Sequence, residues 1–258
     1  MECAERGLID VPWLRFGDGA ALLRALDLIG ARSGLGELLA QGSRRAAEIV
    51  GQGSIAFAPQ VKGLELPGYE PRTLQAMALG LAVNARGADH NRSGAYEADL
   101  SGRHDRLSGG AAHVAAAVST EDRAAVMDSL ILCKFLRGVF EDPFPEWARL
   151  LSTVTGWDVD GEELEAMARR IVLAKRAFNA REGWARADDG LPERFLSEPL
   201  ELASGRTAAL TRERLDAMIE AYYEARGLDA DGLLSADQID DLHLRVQPPA
   251  TRSISGVT

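Results

Sequence analysis

Apolar residues return every three or four positions through most of this chain, the period of a helix that buries one face. Between Asp18 and Gly34, Leu22, Leu26 and Ile29 share a face; Gly34 and Gly36 then interrupt the run before it resumes at Glu37. From Glu162 onward Leu164, Met167, Ile171 and Phe178 fall on one side, and further along Leu215, Met218, Ile219 and Tyr222 do the same. Each stripe predicts a core-facing surface. Ser119 followed by Asp122, and Ser235 followed by Gln238, have the pattern of capping boxes and predict helix starts. Alternating, strand-like runs are scarce, and "SIAFAPQV" at 54–61 is the best of them. The predicted fold class is all-α and multihelical, with at most a short hairpin.

Two polar tracts break the helical pattern. The first, "DHNRSGAYEADLSGRHDRLSGG" at 89–110, is long for a connection inside a packed domain, and such loops are more often functional than idle. The second is "REGWARADDGLPERFLSEPL" at 181–200. Between them "EDPFP" at 141–145 interrupts the periodicity, which predicts two helical subdomains, 1–142 and 143–258. The stretch "GLDADGLLSADQ" looks like a calcium loop, but aligning Gly232 to its sixth position puts Gly227 first and Gln238 last. Both anchoring carboxylates are missing, so the stretch reads as a turn leading into a capped helix.

Composition narrows the class. With 46% hydrophobic and 26% charged residues among 258, the chain is an ordinary globular sequence. Its net charge of -10 works against nucleic acid as a partner, because that requires a basic face. No apolar run approaches the roughly 20 residues of a membrane span, and the start "MECAERGLIDVPW" lacks a signal-peptide pattern. A cytoplasmic protein is expected. Cys3 and Cys133 are the only cysteines, too few for a disulfide framework or a complete metal site, and the four histidines show no paired ligand spacing. Cys133 lies five residues after Asp128 in "DSLILCKF". It is either a small buried hydrophobe or one thiolate of a site whose other ligands lie on another polypeptide. Taken alone, Asp128 reads as a solvated helix acid, His90 as a loop histidine, and Arg86 and Lys62 as surface charges.

Four strings change that reading: "VKGLELPGYEPR" at 61–72, "NARGADHNRS" at 84–93, "DSLILCKF" at 128–135 and "REGWARADDGLPERF" at 181–195. In this order and spacing they resemble the C-terminal helical half of the tungsten-containing aldehyde ferredoxin oxidoreductase family, from "ERGLI" near the start to "YYEARGLDADG" near the end. The resemblance implies two mainly helical domains that follow a β-rich N-terminal one. It also implies a tungsten or molybdenum bis-pterin cofactor and a 4Fe-4S cluster in the complete enzyme. Asp128 matches a pterin-holding aspartate, Leu132 a leucine that contributes backbone contacts, and Cys133 the fourth ligand of the cluster. His90 matches a histidine that approaches the metal and serves as hydrogen-bond donor or proton shuttle.

The same resemblance implies aldehyde oxidation to a carboxylic acid, with ferredoxin as electron partner and a small aldehyde as substrate. Two positions depart from the family's pattern: Ile131 stands where glycine is usual, and Asp89 where many members carry cysteine. An unbroken helix would separate Asp128 from Cys133 by about 140°, so a helix end is expected between them. A β-branched Ile131 makes such a turn harder. The three-cysteine cluster segment and the N-terminal pterin domain do not occur in this sequence. The expectation is a split or truncated gene product, or an expressed fragment, that binds neither cofactor alone and needs an N-terminal pterin-binding partner. A homo-oligomer is compatible with this. The alternative is a catalytically inactive helical remnant or a scaffolding subunit.

Overall fold

The computed structural model describes residues 1–244. Its regular structure is almost entirely helical, as the periodicity predicts. An N-terminal layer comprises α1 (Glu2–Glu5), α2 (Gly19–Ala31), α3 (Leu35–Leu39) and α4 (Ser43–Val50). Asp18 caps α2 by accepting a hydrogen bond from the Ala21 amide. The face of α2 that packs inward is not the leucine stripe: Ala21 and Ala25 are buried, whereas Leu22, Leu23 and Leu26 are exposed by half or more. The reason is close approach. A Cβ on Gly36 of α3 would collide with the Leu28 carbonyl, so only small residues fit this seam.

The strand-like run at 54–61 is mostly not a strand. Ser54–Phe57 forms a 3₁₀ turn, and only β1 (Gln60–Val61) pairs, antiparallel, with β2 (Leu64–Glu65). Gly53, at φ 76, and Pro59 flank the segment and leave too few residues to extend the ladder.

The main core forms around α5 (Gln75–Val83), in which every residue is buried. A helix apolar all round is an interior helix. The tract 89–110 then holds two short helices, α6 (His90–Ser93) and α7 (Tyr96–Leu100), before α8 (Ala111–Ser129). α8 is the hub and packs against α5, α6, α10 and α12. Ser119 lies inside α8 rather than at its start, because the alanine-rich run from 111 carries the helix through, while the Asp122 side chain turns to Arg226 instead of capping.

α9 (Pro143–Thr155), α10 (Gly161–Arg181) and α11 (Arg194–Ser197) follow, then the hairpin β3 (Leu200–Glu201) and β4 (Thr207–Ala208). α12 (Arg212–Arg226) and α13 (Ala236–Asp241) complete the described chain. Leu215, Met218, Ile219 and Tyr222 of α12 are all buried, as their spacing predicts. On α10 the stripe is rotated: Leu164 is buried, but Phe178 is half exposed and the smaller Ala168, Val172 and Ala177 face the core. Ser235 and Gln238 make the reciprocal capping box of α13, and Asp229 closes the preceding turn by accepting from the Asp231 and Leu233 amides. The main core joins α5 and part of α8 to α12, and a second core joins Val126 and Met127 to Phe144, Trp147 and Leu164. Both cores cross position 142. No helix among the described residues is long and apolar enough to cross a membrane.

Candidate functional site

α8 ends at Ser129, and the chain reverses through Leu130 and Ile131. The Leu132 amide bonds back to the Met127 carbonyl and the Ile131 amide to that of Asp128, the two bonds of a Schellman cap. Ile131 occupies the left-handed position at φ 57, where glycine is usual, and points its side chain into solvent at 91% exposure. The turn expected between Asp128 and Cys133 is thus present despite the β-branched residue. It has two consequences. Leu132, partly buried, packs its side chain against the second core. Cys133 is a free, exposed thiol, and its neighbours Ile131 and Phe135 are almost fully exposed.

Asp128 stays on the last turn of α8, where Lys134 Nζ lies 2.7 Å from its Oδ1 and Arg92 of α6 pairs with its Oδ2. Burial pushes its pKa up, but the hydrogen bond and charge of Lys134, with the charge of Arg92, outweigh this and hold it below the usual carboxylate range. Lys134 is therefore committed to Asp128 and to the Ala124 carbonyl, at 3.2 Å. Arg137, just beyond, ties the turn to the 89–110 tract through the Asn91 carbonyl at 2.7 Å, the Tyr96 hydroxyl at 2.9 Å and Glu97 at 2.8 Å.

His90 opens α6, half buried, with its ring 5.4 Å from that of Tyr69 and 5.6 Å from that of Tyr96. Asp89 caps α6 by accepting from the Asn91 and Arg92 amides and pairs with Arg86. α6 is seated by Gly80 of α5, where a Cβ would collide with the Ser93 hydroxyl. The chain thus brings His90, Arg92, Asp128 and Cys133 to one region, across contacts between α6 and the end of α8.

A hollow beside this region is lined by Asn84, Arg86, Arg92, Glu121, Lys175 and Phe178. Burial and the Arg92 charge push the Lys175 pKa down, and the ammonium has no ion-pair or hydrogen-bond partner among the described residues. Lys175 is invisible as a site residue in the sequence, where a lysine on a 21-residue amphipathic helix reads as solvated.

Lys62 is not a surface charge. Its ammonium, on a side chain only 3% exposed, reaches Asp189 at 2.7 Å and the Ala82 and Asn84 carbonyls. Asp189 also receives Arg176 at 2.6 Å and the Tyr223 hydroxyl. Two of the quoted strings, at 61–72 and 181–195, thus meet in a buried polar knot that fixes the floor under α5 and α10.

Against known proteins, the family described as aldehyde ferredoxin oxidoreductase, domains 2 & 3, matches residues 1–244. The tungsten-containing aldehyde ferredoxin oxidoreductase of Pyrococcus furiosus is 32% identical over 253 residues, covering 94% of this chain and 40% of the relative; that of Thermococcus kodakarensis is similar to the same extent. A WOR-like subunit of aliphatic sulfonate oxidoreductase from P. furiosus is 28% identical over 241 residues. Among solved structures, the active-site complex BamBC of benzoyl coenzyme A reductase superposes with a TM-score of 0.65 at 21% identity, over 94% of this chain and 42% of that one, a likeness of fold. The chain therefore spans less than half the length of the relatives it matches, and it belongs to the aldehyde ferredoxin oxidoreductase family, of which it contains the helical domains 2 and 3.

Proposed function

We propose that this chain is the helical C-terminal part of a tungsten- or molybdenum-pterin aldehyde oxidoreductase. It works with an N-terminal pterin-binding domain or subunit, and electrons leave through a 4Fe-4S cluster to ferredoxin. The observation that carries this reading is the reversal at 130–133. It keeps the Asp128 carboxylate beside Arg92 while turning the Cys133 thiol outward between exposed apolar side chains. A free thiol in such a patch calls for a covering partner.

The donor set fits one half of a cofactor cradle. A cluster takes about four thiolates, so Cys133 supplies one and the partner the rest. Asp128 already receives two cations, yet a carboxylate offers about four acceptor positions, which leaves room for pterin N–H groups. Because Lys134 and Arg92 keep it ionised, it accepts rather than donates. Arg86, Arg92 and Lys175 would hold anionic parts of the cofactor in the adjoining hollow. The bound cofactor supplies the two-electron oxidation of aldehyde to carboxylic acid. His90, tilted against the stacked rings of Tyr69 and Tyr96, holds or passes the proton at its imidazole edge. Two free cysteines and this redox role fit a reducing, cytoplasmic setting.

Co-expression with an N-terminal half that carries three cysteines and the pterin domain tests the reading. A stable complex with cluster absorbance is expected. Cys133→Ala should lose or degrade the cluster, His90→Ala should spare it but lower aldehyde oxidation, and Asp128→Ala should reduce pterin occupancy. If a complex forms and Cys133→Ala leaves the cluster intact, the thiol is not a cluster ligand and a scaffolding role replaces the catalytic one.

A further inference from the structure

On α7, the loop after it and α8, the chain gathers a second set of side chains that the proposed cofactor cradle does not use. One Asp99 carboxylate oxygen and one ring nitrogen each of His104 and His113 lie within 4.8 Å of one another. His104 Nε2 is 3.3 Å from Asp99 Oδ1, and the two imidazole centroids are 4.5 Å apart with planes at 67°. Asp99 is held from behind, where its two oxygens accept from the Ala76 and Met77 amides at the start of α5.

His113 is the anomaly. It is 1% exposed, and its Nε2 is buried without a hydrogen-bond partner among the described residues. A buried polar atom left unpaired costs about 1–3 kcal/mol, so a simple structural brace of Asp99 by His104 leaves this atom unexplained. A neutral imidazole keeps a lone pair at one nitrogen, and a buried, unpartnered ring nitrogen beside a carboxylate and a second imidazole is a ready metal ligand.

We propose that Asp99, His104 and His113 form a binding site for a divalent transition ion of the zinc class. Two imidazoles and one carboxylate without a thiolate suit Zn²⁺, Co²⁺ or Ni²⁺ better than a soft monovalent metal or calcium. The 3.3 Å between His104 Nε2 and Asp99 Oδ1 is the separation of two ligands on a tetrahedral ion. Asp99 and His104 also border an open depression with Gly102, Arg103, Asp105 and Arg206, which provides an entry path and a fourth position for water. The backbone bonds to Asp99 supply the outer shell.

The test is titration of the chelator-treated full chain with Co²⁺, followed by competition with Zn²⁺. One equivalent of Co²⁺ should bind with the visible absorption of a four- or five-coordinate ion, and Zn²⁺ should displace it. His104→Ala and His113→Gln should each weaken affinity by roughly a hundredfold, the upper scale for even an outer-shell loss, while His243→Ala and Cys3→Ala leave it unchanged. His104 sits on a partly exposed loop, so its variant keeps the test decisive if the His113 variant fails to fold. Absence of saturable one-to-one binding, or binding indifferent to His104→Ala, overturns the proposal. Neither result bears on Cys133 and its cluster, because no residue is shared.

Discussion

At Ile131 a β-branched side chain occupies a backbone conformation that costs an L-residue about 1–2 kcal/mol. Nothing in the packing compensates, since the side chain is 91% exposed. Ile131→Gly should therefore raise the unfolding free energy by roughly 0.5–1 kcal/mol after glycine's greater unfolded-state freedom is counted. Urea denaturation of the two proteins measures it, and an unchanged midpoint would show that the turn is not strained. The exposed isoleucine is intelligible if a partner covers it, and the same holds for Phe135. At this scale the sequence was a good guide to position and a poor one to environment. The helix end between Asp128 and Cys133 followed from the family resemblance, which asks both residues to serve neighbouring cofactors, combined with the 3.6-residue period, whereas the commitment of Lys134 to Asp128 depends on the reversal itself. Asp99, His104 and His113 were illegible because their spacing matches no local ligand pattern, and α7 and α8 bring them together only on folding.

Among the elements, two contacts set the placement of α6 and α12 on α5 and α8. Gly80 lets α6 lie against α5, and Gly80→Ala should cost about 1–3 kcal/mol by driving the new methyl into Ser93. Adding Ser93→Gly should restore part of the loss in the same urea assay, which a purely helix-propensity effect would not. Across α8 and α12, the buried Arg226 donates to the carboxylates of Asp122 and Glu121, each at 2.7 Å. Burial nevertheless pushes Asp122 up to about 6, against the pull of Arg226. The unfolded chain gives up this proton near 3.8, whereas the fold holds it until about 6. Asp122 therefore contributes stability that is complete below about 4 and lost as pH rises through about 6, up to about 3 kcal/mol. Asp122→Asn should remove that slope, read as the difference between the two proteins in denaturation at pH 4 to 7. The pairing was hidden in the sequence, where Ser119 and Asp122 imitate a helix cap; a buried arginine 104 residues away claims the carboxylate.

For the whole molecule, helical class was plain from periodicity, but which face of each helix turns inward was not. On α2 the bulky leucines face outward and the alanines inward, because the nearest neighbour approaches closely enough to admit only small side chains. Periodicity reports that a helix has an apolar face; it is silent on whether this chain or another covers it. The opposite case is α5, which has no polar face and whose nine residues are all enclosed by surrounding elements. Such a helix has no local route to solvent. Its amide protons should exchange with deuterium only when the whole domain opens, at rates set by global unfolding, whereas those of α2 should exchange through local fraying many times faster. Exchange followed by mass spectrometry would then divide the molecule by time rather than by sequence, with an inner cylinder that stays protonated longest and an outer N-terminal layer that trades its protons first.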